Sequence, residues 1–254
     1  MKPAAFELAA PTGIEHAAAL LAGDDCRAMG GGQSLGPMLN LRAARPGVVV
    51  PLTGLSALHG VEEAADAITL GAATTHAAIA DGCTPDFVGG FLARVAGGIA
   101  YRAVRNRGTI GGSLCHADPA ADWLTTLTAL AAIVLTTRRA VALGEFVTGP
   151  YRTVLEPGEI VRAVRIPRPP AGAGWGYHKL CRKPGEFAHA MAAALVAPNG
   201  TRRLAIGAIG DRPVLLRDDR ASLPGAAEAL GFLDPAARRI HLVAVERALA
   251  EAGA

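Results

Sequence analysis

The sequence has few aromatic residues, only 4% of its 254 positions, and no long run of charge of either sign. Its formal net charge is +3, which excludes a basic nucleic-acid arm and an acidic tail as organising features. Although 51% of residues are hydrophobic, no stretch approaches the ~20 consecutive apolar residues of a membrane-spanning helix. The start, Met1-Lys2-Pro3 with Glu7 close behind, lacks the charged-then-apolar order of a signal peptide, so a soluble, cytoplasmic chain is expected. Cys26, Cys83, Cys115 and Cys181 are scattered, with no Cys-x-x-Cys pair. That spacing excludes a zinc ribbon and is a poor start for an iron–sulfur site, which leaves reduced and mostly buried thiols as the expectation. His59, His76, His178, His189 and His241 show no metal-ligand spacing either.

Glycine and proline are plentiful, at 31 and 17 residues, so much of the backbone lies in turns. Three blocks follow. In residues 1–54, Thr12 and Glu15 form a capping-box pattern before a helix from Gly13 to Leu21. Arg27–Met29 and Val48–Leu52 read as strands of a βαβ-like unit, with an apolar turn over Leu35–Leu41 between them. In residues 55–168, Ala67–Gly71 reads as a strand and Thr74-Thr75 caps a helix from His76. Pro85 marks the first turn of a helix from Asp86 to Val95, and Asp118-Pro119 the start of one through Leu130. Ala132–Thr136 and Arg139–Leu143 pair as a hairpin, and Ile160–Ile166 is a strand after the Pro157-Gly158 turn. Residues 168–174 form a Pro/Gly linker. Beyond it, residues 175–254 hold a strand over Trp175–Leu180 and a hairpin of Met191–Val196 and Arg203–Ile209 about Pro198-Asn199-Gly200. An amphipathic helix over Pro235–Ala252 closes the chain.

Two glycine motifs carry the chemistry. Gly30-Gly31-Gly32-Gln33-Ser34 lies between a strand and an apolar turn, where consecutive N–H groups can face one concavity and bind an anion. Thr109-Ile110-Gly111-Gly112-Ser113 offers the same chemistry later in the chain. Either one alone is also what a plain turn looks like. Together they suit the two adjacent phosphates of a dinucleotide. No Gly-Lys-Ser/Thr follows either motif, so a Walker loop is excluded, and three contiguous glycines do not match the spaced dinucleotide fingerprint.

With Gly30 to Leu35 followed by Pro37-Met38-Leu39-Asn40-Leu41-Arg42, the first motif resembles the FAD-binding medium subunits of molybdenum hydroxylases, of the carbon monoxide, xanthine and nicotine dehydrogenase type. Arg105-Asn106-Arg107-Gly108 ahead of Thr109–Ser113, with Asp118-Pro119-Ala120-Ala121-Asp122 behind, resembles the same family. Lys179 and Arg182, then Gly185-Glu186-Phe187-Ala188, resemble the start of its C-terminal domain.

The resemblance implies an α+β fold: a two-lobed FAD-binding domain over 1–168 (lobes 1–54 and 55–168) and a small α+β C-terminal domain over 175–254. The stretch between Pro213 and Pro235 has few strand signals, so that domain looks shortened. It also implies an FAD-carrying electron-transfer subunit. The partners would be a small chain with two 2Fe–2S clusters and a large molybdopterin-binding chain, in a dimer of heterotrimers. For the cofactor, it assigns Met29, Gly30, Gly31, Gly32, Gln33, Ser34 and Leu35 with Thr109, Ile110, Gly111, Gly112 and Ser113 to the pyrophosphate loops. Ile99, Asp118, Asp122, Val161 and Lys179 are assigned to the rest of FAD, Lys179 close to the flavin ring and Val161 near adenine or flavin. Without the resemblance, Asp118 reads as a helix cap, Asp122 as a carboxylate favoured by the helix dipole, and Lys179 as a surface lysine. The rival functions are a stand-alone FAD reductase or oxidase, for which no acid–base pair is evident, and a non-catalytic scaffold.

Overall fold

The computed structural model describes residues 2–86 and 89–254. The first lobe runs β1 (Glu7–Leu8), α1 (Ile14–Leu21), β2 (Cys26–Met29), α2 (Leu35–Asn40) and β3 (Val48–Pro51). The three strands are parallel in the order β1-β3-β2, because each return to the sheet passes through a helix. Val49 and Val50 of the central strand are fully buried, and Val50 shares a small core with Ala17, Leu55 and Leu58. The expected capping box does not form. Gly13 takes the cap position, and the Thr12 hydroxyl pairs with His16 Nδ1 at 3.2 Å instead.

The second lobe is built on β4 (Val61–Glu63) and β5 (Ala67–Gly71), followed by the helices α3 (His76–Ala80), α4 (Phe91–Gly97), α5 (Arg102–Arg105), α6 (Ile110–His116) and α7 (Asp122–Ala129). Next come β6 (Ile133–Thr136), β7 (Ala140–Ala142), α8 (Leu143–Phe146), β8 (Val147–Gly149), β9 (Arg152–Thr153) and β10 (Val161–Pro167). The antiparallel sheet has the order β4-β5-β10-β6-β7, so β10 returns to its centre. Three helix starts differ from the sequence reading. Helix α4 begins at Phe91, and the Asp86 carboxylate caps it from outside by accepting the N–H groups of Leu92 and Ala93 at 3.2 and 2.9 Å. Positions 87 and 88 of the helix expected from Asp86 lie outside the described residues. Asp118 spends its carboxylate on the Ala120 N–H at 2.9 Å and its carbonyl on the Ala121 N–H, a tight turn that delays α7 to Asp122. The second glycine motif is itself the first turn of α6, capped by Thr109.

The C-terminal part runs β11 (Gly174–Leu180), β12 (Ala190–Val196), β13 (Arg202–Gly207), β14 (Val214–Arg217), α9 (Leu223–Ala229) and α10 (Pro235–Glu251), its four strands antiparallel in chain order. Where strand signals were few, between Pro213 and Pro235, the edge strand β14 and helix α9 complete the layer. Strand β12 shows why the sheet needs small residues. Ala190, Ala192 and Ala194 pack with Ala244, Val245 and Ala248 of α10, whereas Met191, Ala193 and Leu195 enter the main core with Trp123 and Leu127 of α7. The period-2 alternation thus sorts one strand's side chains into two cores. Glycines let the helices close in on both faces. A Cβ at Gly176 would lie 1.9 Å from the Ala248 carbonyl oxygen, and one at Gly207 would lie 1.8 Å from Thr125 Oγ1. None of the four cysteines is buried, contrary to the sequence expectation. Among the described residues, no helix is long and apolar enough to cross a membrane.

Candidate functional site

The first glycine motif leaves β2 at Met29 and enters α2 at Leu35. Gly32 takes φ +74°, the left-handed region open to glycine, and Gln33 folds back so that its Nε2 donates to the Gly31 carbonyl at 3.1 Å. The first hydrogen bond into the helix is from the Gly36 N–H to the Gly32 carbonyl at 2.9 Å. Among the described residues, the N–H groups of Gly30 through Leu35 find no protein acceptor. Such a run of unpaired donors on a half-buried loop attracts an anion.

The second motif is different. Ile110 and Gly111 donate their N–H groups to Thr74 and Ala72 carbonyls, both at 3.0 Å. The Gly112 N–H is taken by Thr109 Oγ1 at 3.1 Å and that of Ser113 by the Thr109 carbonyl at 3.0 Å. Its glycines serve close approach instead. A Cβ at Gly111 would sit 2.6 Å from Ala72 Cβ. Across the seam between the lobes, a Cβ at Gly31 would sit 1.8 Å from the Arg107 carbonyl oxygen, and one at Gly30 would sit 3.0 Å from Thr109 Oγ1 and 3.5 Å from Gly112 Cα. The fold therefore brings Gly30 and Gly31 together with Arg107–Thr109 and Gly112. The first motif supplies the free donors and the second supplies the wall behind them.

A buried polar cluster closes the far side of α7. Asp122, 5% exposed, accepts the Tyr177 phenol at 2.6 Å and Lys179 Nζ at 3.0 Å on Oδ1, with Lys179 Nζ also 3.2 Å from Oδ2. Tyr177 and Lys179 are two apart on β11 and so share one face of the sheet. Burial first, then the Asp122 charge, holds the Tyr177 hydroxyl well above its usual range, so it stays a donor. Lys179 Nζ also lies 3.5 Å from the Gly98 carbonyl, beside half-buried Ile99. The Ile99 and Ala100 carbonyls in turn accept Arg105 Nη1 at 3.0 and 2.9 Å, which ties this cluster to the stem of the second motif.

The remaining assigned residues are more dispersed. Val161 is buried in the main core on β10, next to Arg162, whose carbonyl accepts the Ala72 N–H behind Gly111. Asp118 also accepts the Tyr151 phenol at 3.3 Å. Two residues escaped the sequence reading as site residues. Tyr177 carries no local signal, because its partner is 55 residues away. His76 was seen only as a helix start. Its N–H donates to the Gly108 carbonyl at 2.9 Å, its Nδ1 accepts from Trp123 Nε1 at 3.1 Å, and burial with the nearby Arg105 charge lowers its pKa to about 4.

Known proteins resemble this chain in sequence and fold. A family model for the FAD binding domain in molybdopterin dehydrogenase matches residues 4–169. The carbon monoxide dehydrogenase medium chain of Afipia carboxidovorans is 34% identical, over 93% of this chain and 85% of that one. The nicotine 6-hydroxylase medium subunit of Paenarthrobacter nicotinovorans is 36% identical, over 82% and 76%. Among solved structures, a carbon monoxide dehydrogenase chain from Hydrogenophaga pseudoflava superposes with a TM-score of 0.90 at 31% identity, covering 100% of this chain and 99% of that one. With the glycine-lined seam and a matching sequence and fold, the chain belongs to the FAD-binding medium subunits of the molybdenum hydroxylases and is an oxidoreductase subunit.

Proposed function

We propose that the chain holds FAD against the seam between its lobes and serves as the electron-transfer subunit between 2Fe–2S clusters of a small partner chain and an external acceptor. The observation that carries this reading is the unpaired N–H run from Gly30 to Leu35, backed by Arg107–Thr109 and Gly112, which fill the space that side chains at Gly30 and Gly31 would need. Those donors fit a pyrophosphate, and the glycines leave the space beside them free of side chains. In this reading Met29–Leu35 and Thr109–Ser113 hold the pyrophosphate. Ile99, Asp122 and Lys179 face the flavin, and Asp118 and Val161 support the remainder of the cofactor. FAD supplies the redox chemistry when bound. The chain's own part is to neutralise the phosphates with backbone dipoles, to hold Lys179 in place against Asp122, and to exclude water through the packed sheet behind β11.

The large partner would carry molybdopterin and the substrate site, in a cytoplasmic dimer of heterotrimers. Names of relatives such as "medium chain" and "medium subunit" support a multi-chain assembly. Purification of the complex from its native host, with chain identification and cofactor analysis, tests the reading. FAD should be found in stoichiometric amount with this chain, and iron, sulfide and molybdenum with its partners. Substrate turnover by this chain alone, with FAD as sole cofactor, would refute the division of labour.

A further inference from the structure

Tyr177 is anchored at three atoms by three different elements. Strand β11 is the edge of its sheet, and at Tyr177 the outward backbone groups meet side chains instead of another strand. Its N–H donates to Glu251 Oε2 of α10 at 3.0 Å, and its carbonyl accepts Arg94 Nη2 of α4 at 3.2 Å. The same two side chains close on each other, Arg94 Nη2 to Glu251 Oε1 at 2.7 Å, and Arg94 lies over the Trp175 ring at 5.1 Å. The third anchor is the phenol on Asp122 Oδ1 at 2.6 Å, the oxygen that Lys179 also uses. Asp122 and Lys179 are 5% and 10% exposed, so little water screens the pair and the phenol competes directly with the ammonium for one carboxylate oxygen.

Resting on the proposed FAD site, we infer that Tyr177 is a positioning residue that sets how much of the Lys179 charge the flavin feels. By drawing electron density from Oδ1 the phenol weakens the hold of Asp122 on Lys179, which leaves more positive field beside the ring. A reduced flavin carries more negative charge than an oxidised one, so this field favours reduction. The Arg94–Glu251 clamp fixes the backbone of Tyr177 and hence the reach of its phenol.

The test uses the FAD-loaded protein with whatever chains purify with it, and reads the flavin midpoint potential together with FAD affinity. Tyr177→Phe keeps the ring in the core and removes only the hydroxyl. FAD should stay bound, and the preference for reduced over oxidised flavin should fall about tenfold, about 30 mV for a two-electron couple. Glu251→Ala, a substitution at the clamp where the side chain is 35% exposed, should shift the potential in the same direction by less. Unchanged potentials in both variants with FAD retained would overturn the inference. Equal weakening of both flavin redox states would do so as well, since that is the signature of a purely structural role. A parent protein that never retains FAD would instead overturn the cofactor reading on which the inference stands.

Discussion

Replacing Asp122 by asparagine separates two accounts of this carboxylate. If it only met a helix dipole at an exposed N-terminus, its loss would cost ~0.3–1 kcal/mol. In the structure it is instead a buried acceptor for both Lys179 and Tyr177, at 3.0 and 2.6 Å. An amide of the same shape leaves the Lys179 ammonium, 10% exposed, without a counter-charge. Breaking a buried pair on one side costs ~3–5 kcal/mol. The flexible lysine stem can carry part of the charge back toward water, which favours the lower end, about 3 kcal/mol. For a chain near this length each kcal/mol moves Tm by ~2–4 °C, so the apo form should melt roughly 6–12 °C lower. The C-terminal sheet and the second lobe share one core, so a single urea transition reports the loss. Asp122→Asn combined with Lys179→Met should cost no more than either change alone, because the orphaned charge is gone. A cost of Asp122→Asn below about 1 kcal/mol, with additive effects in the double variant, would refute the reasoning.

Other outcomes follow from single contacts. Gly31→Ala should abolish FAD retention, since its Cβ would meet the Arg107 carbonyl oxygen at 1.8 Å, while Gly36→Ala, with open space around it, should retain FAD in the same absorbance assay. Gly176→Ala should loosen α10, whose Ala248 carbonyl lies 1.9 Å from the new Cβ, by about 1–3 kcal/mol in urea unfolding. His76 is neutral in the fold, with a pKa near 4 against 6.5 when exposed, so its contribution is fully present above pH 6.5 and is lost as pH falls to about 4. That loss is about 3 kcal/mol, and His76→Gln should flatten the acid limb of the stability profile; an unchanged limb would show that another group controls it.

What could be read in the sequence was local, and what could not was relational. The strand before Gly30–Gly32 and the hairpin about Pro198-Asn199-Gly200 rest on neighbours within a few residues, and the structure shows those elements, whereas the apolar turn read over Leu35–Leu41 is the short helix α2. Local rules failed where a competing local partner stood closer. Thr12 turned to His16, and Asp118 bonded Ala120 before any helix could use it as a cap. The Asp122–Tyr177–Lys179 cluster had no local signature. A phenylalanine at 177 would give the same hydrophobic pattern in β11, and only the Asp122 carboxylate reaching that strand from α7 gives the hydroxyl its meaning.

The two glycine motifs make the same point about function. As sequences both are short glycine runs with a serine close behind, and both read as anion cradles. In the fold the second has already given its N–H groups to Thr74, Ala72 and Thr109, whereas the first has given none from Gly30 to Leu35. Two open cradles facing each other would leave many buried donors unpaired whenever the cofactor was absent, each at a cost of ~1–3 kcal/mol. One open and one closed motif confines that cost to the first loop, while the second stays rigid enough to back the first, where a Cβ at Gly30 would lie only 3.0 Å from Thr109 Oγ1. Preorganisation of the cofactor site thus resides in the motif whose N–H groups from Ile110 to Ser113 are already paired, so alanine at Gly111, which would press on Ala72 at 2.6 Å, should impair FAD binding through the wall and not through a lost hydrogen bond.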